Sequence, residues 1–186
     1  MPLAKENDYY TYADYLTWEG SERYELIDGE AYMMALPSRI HQEISGSLYY
    51  ALRSYLEGKP CKVYAAPFAV RLNPAEDQSD DTVLEPDIVV VCDPSKLDDR
   101  GCNGAPDLVI EILSPSNTRH DRLVKFNKYR QAGVREYWIV GPEEKIVTVY
   151  VLKNGEYTAF NYDDTGTAPV TVLPECEIDL KTIFAG

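Results

Sequence analysis

Two carboxylates stand in strand-like apolar segments, where an acidic side chain is unusual. Glu111 lies inside "PDLVIEILSPS", and Asp87 stands at the head of the apolar run in "EPDIVVVC". Side chains alternate between the two faces of a strand, so Asp107 shares a face with Glu111 but lies roughly 13 Å away at ~3.3 Å per residue. Asp87 and Glu111 come within about 5 Å of each other if their strands are neighbours. Asp107 is therefore expected only as a supporting acid.

A pair of buried carboxylates predicts a cation between them. Two facing acids repel each other, and burial of an unpaired charge is costly. Mg²⁺ and Mn²⁺ prefer oxygen ligands and relieve that repulsion. The alternative is structural: Asp87 caps a turn after Pro86, and Glu111 pairs with a basic residue of a helix. Both interpretations remain open at this point.

The helix predicted after Glu111 offers a cation at a suitable spacing. Asp121, Lys125 and Tyr129 recur every four residues and therefore share one face of that helix. A helix that returns across the sheet places Lys125 over the carboxylates, where an ammonium can orient a water or stabilise developing phosphate charge. The alternative for Lys125 is an intrahelical pair with Asp121, which stabilises a helix by only a few tenths of a kcal/mol.

Residues 119–130 are basic in a chain whose formal net charge is -13. Asp121 is the one acid among five basic side chains, namely Arg119, Arg122, Lys125, Lys128 and Arg130. Arg119, Arg122 and Lys128 are the predicted nucleic-acid contacts, and a solvated helix face is the alternative. The charge of the whole chain opposes nonspecific binding to nucleic acid by the rest of the surface.

The composition is ordinary for a soluble globular protein, at 45% hydrophobic and 26% charged residues. The length predicts a single domain over residues 1–186. No apolar run approaches the roughly 20 residues of a membrane span, and the first residues lack the pattern of a secretory signal. The four cysteines are scattered without a CxxC pair, which argues against structural zinc and predicts free thiols in a cytoplasmic protein.

The order of predicted elements is mixed α and β. Helices are expected over residues 11–18 with a capping box, from Ser38 to about residue 57, over 117–131 before Gly133, and as a C-terminal turn. Strands are expected in "RYELIDGEAYMM" and "IVTVYVLKNGEYTAF" as hairpins, and in "CKVYAAPFAVRL", "EPDIVVVC", "PDLVIEIL" and "REYWIVG". Residues 73–82 and 93–106 are expected to be loops. This order predicts a central mixed sheet with helices packed on it.

Five separated segments together resemble the Uma2 family, also known as DUF820, a family of predicted restriction endonucleases. These segments are "RYELIDGE", "EPDIVVV", "APDLVIEILSPSN", the D-x3-K-x3-Y pattern at Asp121, Lys125 and Tyr129, and "AGVREYWIV". The resemblance extends from about Tyr10 to Phe184. The family resembles a branch of the PD-(D/E)XK nuclease superfamily, which implies a restriction endonuclease-like α/β core with a four-stranded mixed sheet flanked by helices.

The resemblance implies a metal site at the two acids. Pro86-Asp87 corresponds to the PD of the superfamily and Glu111 to its D/E, and Ile112 would offer its backbone carbonyl to the metal. The implied cofactor is Mg²⁺ or Mn²⁺.

The resemblance also has one departure from the superfamily pattern. Leu113 occupies the position of the superfamily's lysine, and in this family the lysine is found on the following helix, which implies Lys125. Glu25 in "YELIDG" resembles an additional acid near the metal. His41 and Tyr129 are expected to support the acids, although His41 can equally be a capping or packing residue.

The preferred hypothesis is a metal-dependent endonuclease that hydrolyses DNA phosphodiester bonds, with no membrane partner. A homodimer is consistent with cutting both strands of a duplex. The alternative is a catalytically inactive binding or regulatory module that keeps the nuclease fold, which the net negative charge favours. A third and weaker hypothesis is a two-carboxylate hydrolase of sugars, which predicts a deep aromatic cleft and carboxyl groups ~5 to 9 Å apart.

Overall fold

A computed structural model describes the backbone of residues 9–114 and 120–185, and the side chains of residues 9–114 and 123–185. The helices within these ranges are α1 (Tyr12–Tyr15), α2 (Arg39–Tyr55), α3 (Phe126–Ala132) and α4 (Leu180–Ile183). A short 3₁₀ turn spans Pro94–Lys96, and a π-helical turn over His120–Lys125 leads directly into α3. Within the same ranges, no helix has both the length and the apolar character to cross a bilayer.

The strands fall into three sheets. They are β1 (Tyr24–Ile27), β2 (Glu30–Met33), β3 (Lys62–Ala65), β4 (Ala69–Arg71), β5 (Val83–Leu84), β6 (Ile88–Val91), β7 (Leu97–Asp98), β8 (Gly101–Asn103), β9 (Leu108–Ile112), β10 (Glu136–Gly141), β11 (Ile146–Lys153), β12 (Glu156–Asp163), β13 (Thr167–Pro169) and β14 (Glu177–Asp179). The described residues form a six-stranded central sheet in the order β12-β11-β10-β9-β6-β3 and a second in the order β2-β1-β5-β4-β8-β7. The third sheet is the pair β13-β14.

The central sheet is mixed, because β9 and β10 run parallel while its other neighbouring strands are antiparallel. Its two faces follow the period-two alternation of each strand. One face packs against α2 and the C-terminal segment through a cluster that includes Leu48, Leu52, Ile88, Ile110 and Trp138. The other face packs against α3 through a cluster that includes Val89, Val109, Leu113, Tyr129 and Tyr137. The predicted mixed sheet with flanking helices is confirmed.

Local capping and turn signals give the expected elements. Thr11 and Asp14 form the capping box of α1, and the Ser38 hydroxyl accepts the His41 amide at the start of α2. The hairpin β1-β2 turns at Asp28-Gly29, whose φ angles of 51° and 79° are both positive. Such turns favour Gly and Asp or Asn, which is why this dipeptide predicted the hairpin.

Two predicted segments differ from the structure. "CKVYAAPFAVRL" is not one strand: the chain leaves the central sheet after β3 and enters the second sheet as β4, with Pro67 between them, since proline has no N–H for a ladder. Residues 93–106, expected to be a loop, contain the short hairpin β7-β8. The central sheet also has six strands where the resemblance implied four, because the hairpin β11-β12 extends it beside β10.

The prediction of free thiols is wrong for one pair. Cys61 and Cys92 form a disulfide, whereas Cys102 and Cys176 are free and buried. The register Lys62↔Val91 between β3 and β6 places the two cysteines opposite each other just beyond the paired residues. No sequence spacing signals this pairing, because 31 residues separate the two cysteines and only the strand register brings them together.

Candidate active site

Glu111 and Asp87 lie opposite each other on neighbouring strands. β6 and β9 pair antiparallel with Ile88↔Ile110, and the same register carried one residue further sets Asp87 beside Glu111. The Asp87 Oδ2 atom accepts the Ile112 amide at 2.7 Å, which fixes this carboxylate across the strand pair. β6 and β9 are therefore the neighbouring strands that were expected to bring Asp87 and Glu111 together.

Lys125 reaches Glu111 from the start of α3. Its Nζ atom lies 3.0 Å from Glu111 Oε1 and 2.9 Å from Glu25 Oε1, and its side chain is only 4% exposed. One ammonium thus joins a carboxylate of β9 to a carboxylate of β1, which belong to different sheets. A buried ion pair needs such close contacts, because desolvation of the charges otherwise outweighs their attraction.

Leu113 belongs to the core that packs between the central sheet and α3. Because Leu113 carries no charge, the cation that contacts Glu111 is Lys125, which lies one helical turn before Tyr129. The lysine therefore approaches the acids from α3 rather than from the strand that carries Glu111.

Glu25 is held by two donors. Its Oε1 atom accepts the Glu85 amide at 2.9 Å and also lies against the Lys125 ammonium. Glu25 is on β1, which pairs with β5 through Leu26↔Val83, so the sheet pairing sets the Glu85 backbone beside it. Glu25 is buried beside Lys125, and its role as an additional acid near a metal stays a prediction.

His41 lies on the other side of Asp87. The first turn of α2 brings its Nε2 atom to 3.1 Å from Asp87 Oδ1. Its Nδ1 atom is buried and has no hydrogen-bond partner among the residues that the structure describes. His41 thus contacts one of the two acids through its side chain and takes part in the Ser38 cap through its backbone amide, and its supporting role stays a prediction.

Tyr129 supports Glu111 from one turn further along α3. Its hydroxyl donates to Glu111 Oε1 at 2.7 Å. Burial, together with the negative charges of Glu111 and Glu25, raises the pKa of Tyr129 well above its ordinary value. The hydroxyl therefore stays protonated and acts as a permanent donor to Glu111.

Sequence reasoning missed a second acid network beside Glu25. Glu85 is buried, its Oε2 accepts the Arg23 Nε at 2.8 Å, and its Oε1 accepts the Tyr15 hydroxyl at 2.8 Å. Burial and the charge of Glu85 raise the pKa of Tyr15, so this hydroxyl also remains a donor. Two signals were available, because Glu85 directly precedes Pro86-Asp87 and Arg23 shares a strand face with Glu25.

Several predicted residues do not join this cluster. Asp107 binds the Cys92 amide at 2.7 Å and Arg135 Nη1 at 2.8 Å, at the far end of β9, so it is not a support for Glu111. Lys128 pairs with Asp28 of the β1-β2 turn, outside the cluster, and its contact with nucleic acid stays a prediction. Arg119 and the side chain of Arg122 lie outside the described residues, and their proposed contacts with nucleic acid stay predictions.

The cluster opens into a cleft of about 300 Å³. Its charged and polar lining includes Arg23, Glu25, His41, Glu85, Asp87, Glu111 and Lys125. Another part of the lining is largely apolar and comes from residues 32–37, at the end of β2 and before α2. The acids, the lysine and an apolar surface therefore border one cleft.

The carboxylates of Asp87 and Glu111, which are oxygen donors suited to a hard cation, line this cleft, and Ile112 belongs to the same lining. Within the described part of the chain, no three Asp, Glu, His or Cys side chains are close enough to form a preformed metal cage. A two-carboxylate site still fits Mg²⁺, which usually keeps several waters and binds through one or two carboxylates together with substrate phosphates.

Comparison with known proteins agrees with this fold and identifies a family. The model of the family Uma2, described as "Putative restriction endonuclease", matches residues 12–181. An uncharacterized protein of Synechocystis sp. is 28% identical over 153 residues, which cover 80% of this chain and 78% of that protein.

A solved structure from Anabaena variabilis, described as a putative nuclease belonging to DUF820, has the same fold. It superposes with a TM-score of 0.75 at 22% sequence identity and covers 95% of this chain and 98% of that chain. This likeness confirms the expected fold. Because the family model spans almost the whole chain, the protein belongs to the Uma2 family of restriction endonuclease-like proteins.

Proposed function

We propose that this protein is a divalent-metal-dependent endonuclease that hydrolyses phosphodiester bonds of DNA, acting as a single domain in the cytoplasm. The observation that carries the proposal is the convergence of Glu25, Asp87, Glu111 and Lys125 at one cleft. These side chains come from β1, the entry to β6, β9 and the entry to α3, so four separated parts of the chain contribute to one cleft. Membership of a nuclease family favours phosphodiester chemistry for this cluster.

Asp87, Glu111 and the Ile112 carbonyl are the groups that would hold Mg²⁺ or Mn²⁺. When bound, such an ion lowers the pKa of a water ligand and polarises the phosphate. The Asp87 carboxylate is already oriented by the Ile112 amide and by His41, and Glu111 by Tyr129, so little reorganisation is needed on loading.

Lys125 is proposed to act on the phosphate and on the attacking water. Its ammonium lies between Glu111 and Glu25 and faces the cleft, where it can stabilise negative charge that develops on the phosphate oxygens. Glu25 is proposed to hold this ammonium in place and to accept a proton or a hydrogen bond from a nearby water. In this proposal, Lys125 at the start of α3 takes the role of the superfamily's lysine, whose position directly after β9 is occupied here by Leu113.

The test is cleavage of plasmid and oligonucleotide DNA by the purified full-length chain with added Mg²⁺ or Mn²⁺. We expect cleavage that disappears on chelation of the metal and falls by about 10²-fold or more in Glu111→Gln, since metal-site and oxyanion-type contacts are worth this much. Glu43→Gln is a matched control, because Glu43 makes an exposed pair with Arg39 on α2 outside the cleft.

The proposal fails if the folded wild-type protein cuts none of these substrates and calorimetry detects no binding of either metal. Full activity in Lys125→Ala would refute the role of the lysine, even if DNA were cut. Both outcomes require circular dichroism evidence that the protein is folded.

A catalytically inactive binding module is the second candidate, and one observation favours it. The cationic side chains that line the cleft in the described residues, Arg23 and Lys125, are both engaged by carboxylates, in a chain of net charge -13. Such a module predicts DNA binding without cleavage. A sugar hydrolase is less favoured, because Tyr32 is the one aromatic side chain among the described residues of the lining.

A further inference from the structure

One wall of the cleft is apolar and open to solvent. We call it the apolar wall and define it as Tyr32, Met33, Met34, Leu36 and Pro37. Leu36 is 97% exposed, Met33 68% and Tyr32 38%. Exposed apolar side chains grouped beside a functional cleft mark a surface that contacts a partner or a ligand.

Tyr32 connects the apolar wall to the acids. In the hairpin β1-β2, Tyr32 is the direct cross-strand partner of Glu25, so both side chains project from the same face. Glu30 accepts a hydrogen bond from the Tyr32 hydroxyl at 2.7 Å, which anchors the outer end of the side chain. The Tyr32 side chain is therefore the cross-strand neighbour of Glu25, the carboxylate that contacts Lys125.

The electrostatics of the cleft are poor for a duplex backbone. Binding to duplex phosphates depends on several lysine and arginine side chains that replace condensed counterions. Here Arg23 is paired with Glu85, Lys125 with Glu25 and Glu111, and Lys128 with Asp28. Among the described residues, the cationic side chains at this cleft are thus engaged by carboxylates, so contacts that carry no charge are needed for affinity.

We propose that the strand enters this cleft unpaired, with a nucleobase stacked on the apolar wall next to the reacting phosphate. This inference rests on the proposed endonuclease activity and names its substrate as single-stranded or locally unpaired DNA. A base in a duplex is covered by its stacked neighbours, whereas an unpaired base exposes its ring face to aromatic and apolar side chains. Stacking of this kind tolerates any sequence, because every base has such a face.

The experiment compares three substrates of one sequence: a labelled single strand, its perfect duplex, and a duplex with a central unpaired bulge. With Mg²⁺ or Mn²⁺ we expect the single strand and the bulge to be cut at least about tenfold faster than the duplex, which corresponds to loss of one stacking contact. Equal rates on all three substrates would overturn the inference while leaving the endonuclease activity intact.

Variants of the wall provide the second readout. Tyr32→Ala and Leu36→Ser are each expected to slow cleavage of the single strand by about fivefold or more, mainly through KM, with duplex rates little changed. Leu36 is almost fully exposed, so its substitution cannot disturb the core. Tyr50→Ala is the matched control, because Tyr50 is 74% exposed on α2 and does not line the cleft.

Binding in the absence of divalent metal separates this inference from the proposed activity. If no substrate is cut, but fluorescence anisotropy shows that single strands bind and that Leu36→Ser weakens the binding, the activity is refuted and the stacking surface stands. If Leu36→Ser instead converts a dimer into a monomer in light scattering and leaves cleavage unchanged, the wall joins two copies of the chain and the inference is wrong.

Discussion

Replacement of Lys125 by methionine removes the charge that joins the two sheets but keeps a side chain of similar length. In the wild type, the Lys125 ammonium is 2.9 Å from Glu25 and 3.0 Å from Glu111, and all three side chains are nearly inaccessible. The variant leaves two buried carboxylates without their common cation. Their mutual repulsion and desolvation then act against folding.

The expected loss of stability is large for one substitution. Breaking a buried ion pair by removal of one partner costs about 3 to 5 kcal/mol, because the remaining charge is buried without compensation. In a chain of this size, 1 kcal/mol shifts Tm by about 2 to 4 °C, so Lys125→Met is expected to lower Tm by about 6 to 20 °C.

Thermal unfolding followed by circular dichroism measures this effect, and Lys128→Met is the matched control. Lys128 lies on the same helix, but its partner Asp28 is 66% exposed, so loss of that pair should cost no more than about 1 kcal/mol. Adding Glu25→Gln to Lys125→Met removes one of the two unpaired charges and should restore part of the lost Tm.

Equal Tm values for Lys125→Met and Lys128→Met would refute the account of Lys125 as a buried bridge. A double variant no more stable than Lys125→Met would show that Glu25 is not one of the charges that the lysine neutralises. Either result would also weaken the proposed catalytic geometry, which depends on the same two contacts.

Two further perturbations test other parts of the site and fold. Tyr129→Phe removes the hydroxyl that donates to Glu111, and we expect metal affinity, measured by calorimetry, or the cleavage rate to fall by about 10- to 100-fold. Tyr157→Phe is the control, because it loses only a hydrogen bond to the Val134 carbonyl and should leave the cleavage rate unchanged. The pKa of Tyr129 is raised, so its neutral hydroxyl stabilises the fold fully below pH ~10, and this stabilisation is lost only at higher pH. The Tm difference between wild type and Tyr129→Phe should therefore be constant from pH 6 to 9. Cys92→Ser opens the disulfide that closes a loop of 31 residues and should lower the free energy of unfolding by about 3 to 4 kcal/mol in urea denaturation; an unchanged midpoint would show that the bond does not stabilise the fold.

Local signals in the sequence predicted most of the elements. The Thr11 and Asp14 capping box, the Ser38 cap and the positive-φ turn at Asp28-Gly29 each depend on residues within a few positions of one another. The rise of a strand likewise separated Asp107 from Glu111, because the distance that four residues span is a property of a single strand. Asp107, which the sequence predicted as a supporting acid, contacts Arg135 instead.

Long-range pairing decided what these signals could not. The break between β3 and β4, the Cys61–Cys92 disulfide and the Arg23–Glu85 pair each depend on which strands become neighbours, and no local pattern encodes that choice. The spacing of Lys125 after Glu111 indicated that the lysine could reach one acid. Only the tertiary structure, by setting β1 of the second sheet beside α3, decided that Lys125 holds Glu25 and Glu111 together, because burial of its ammonium requires both carboxylates at once.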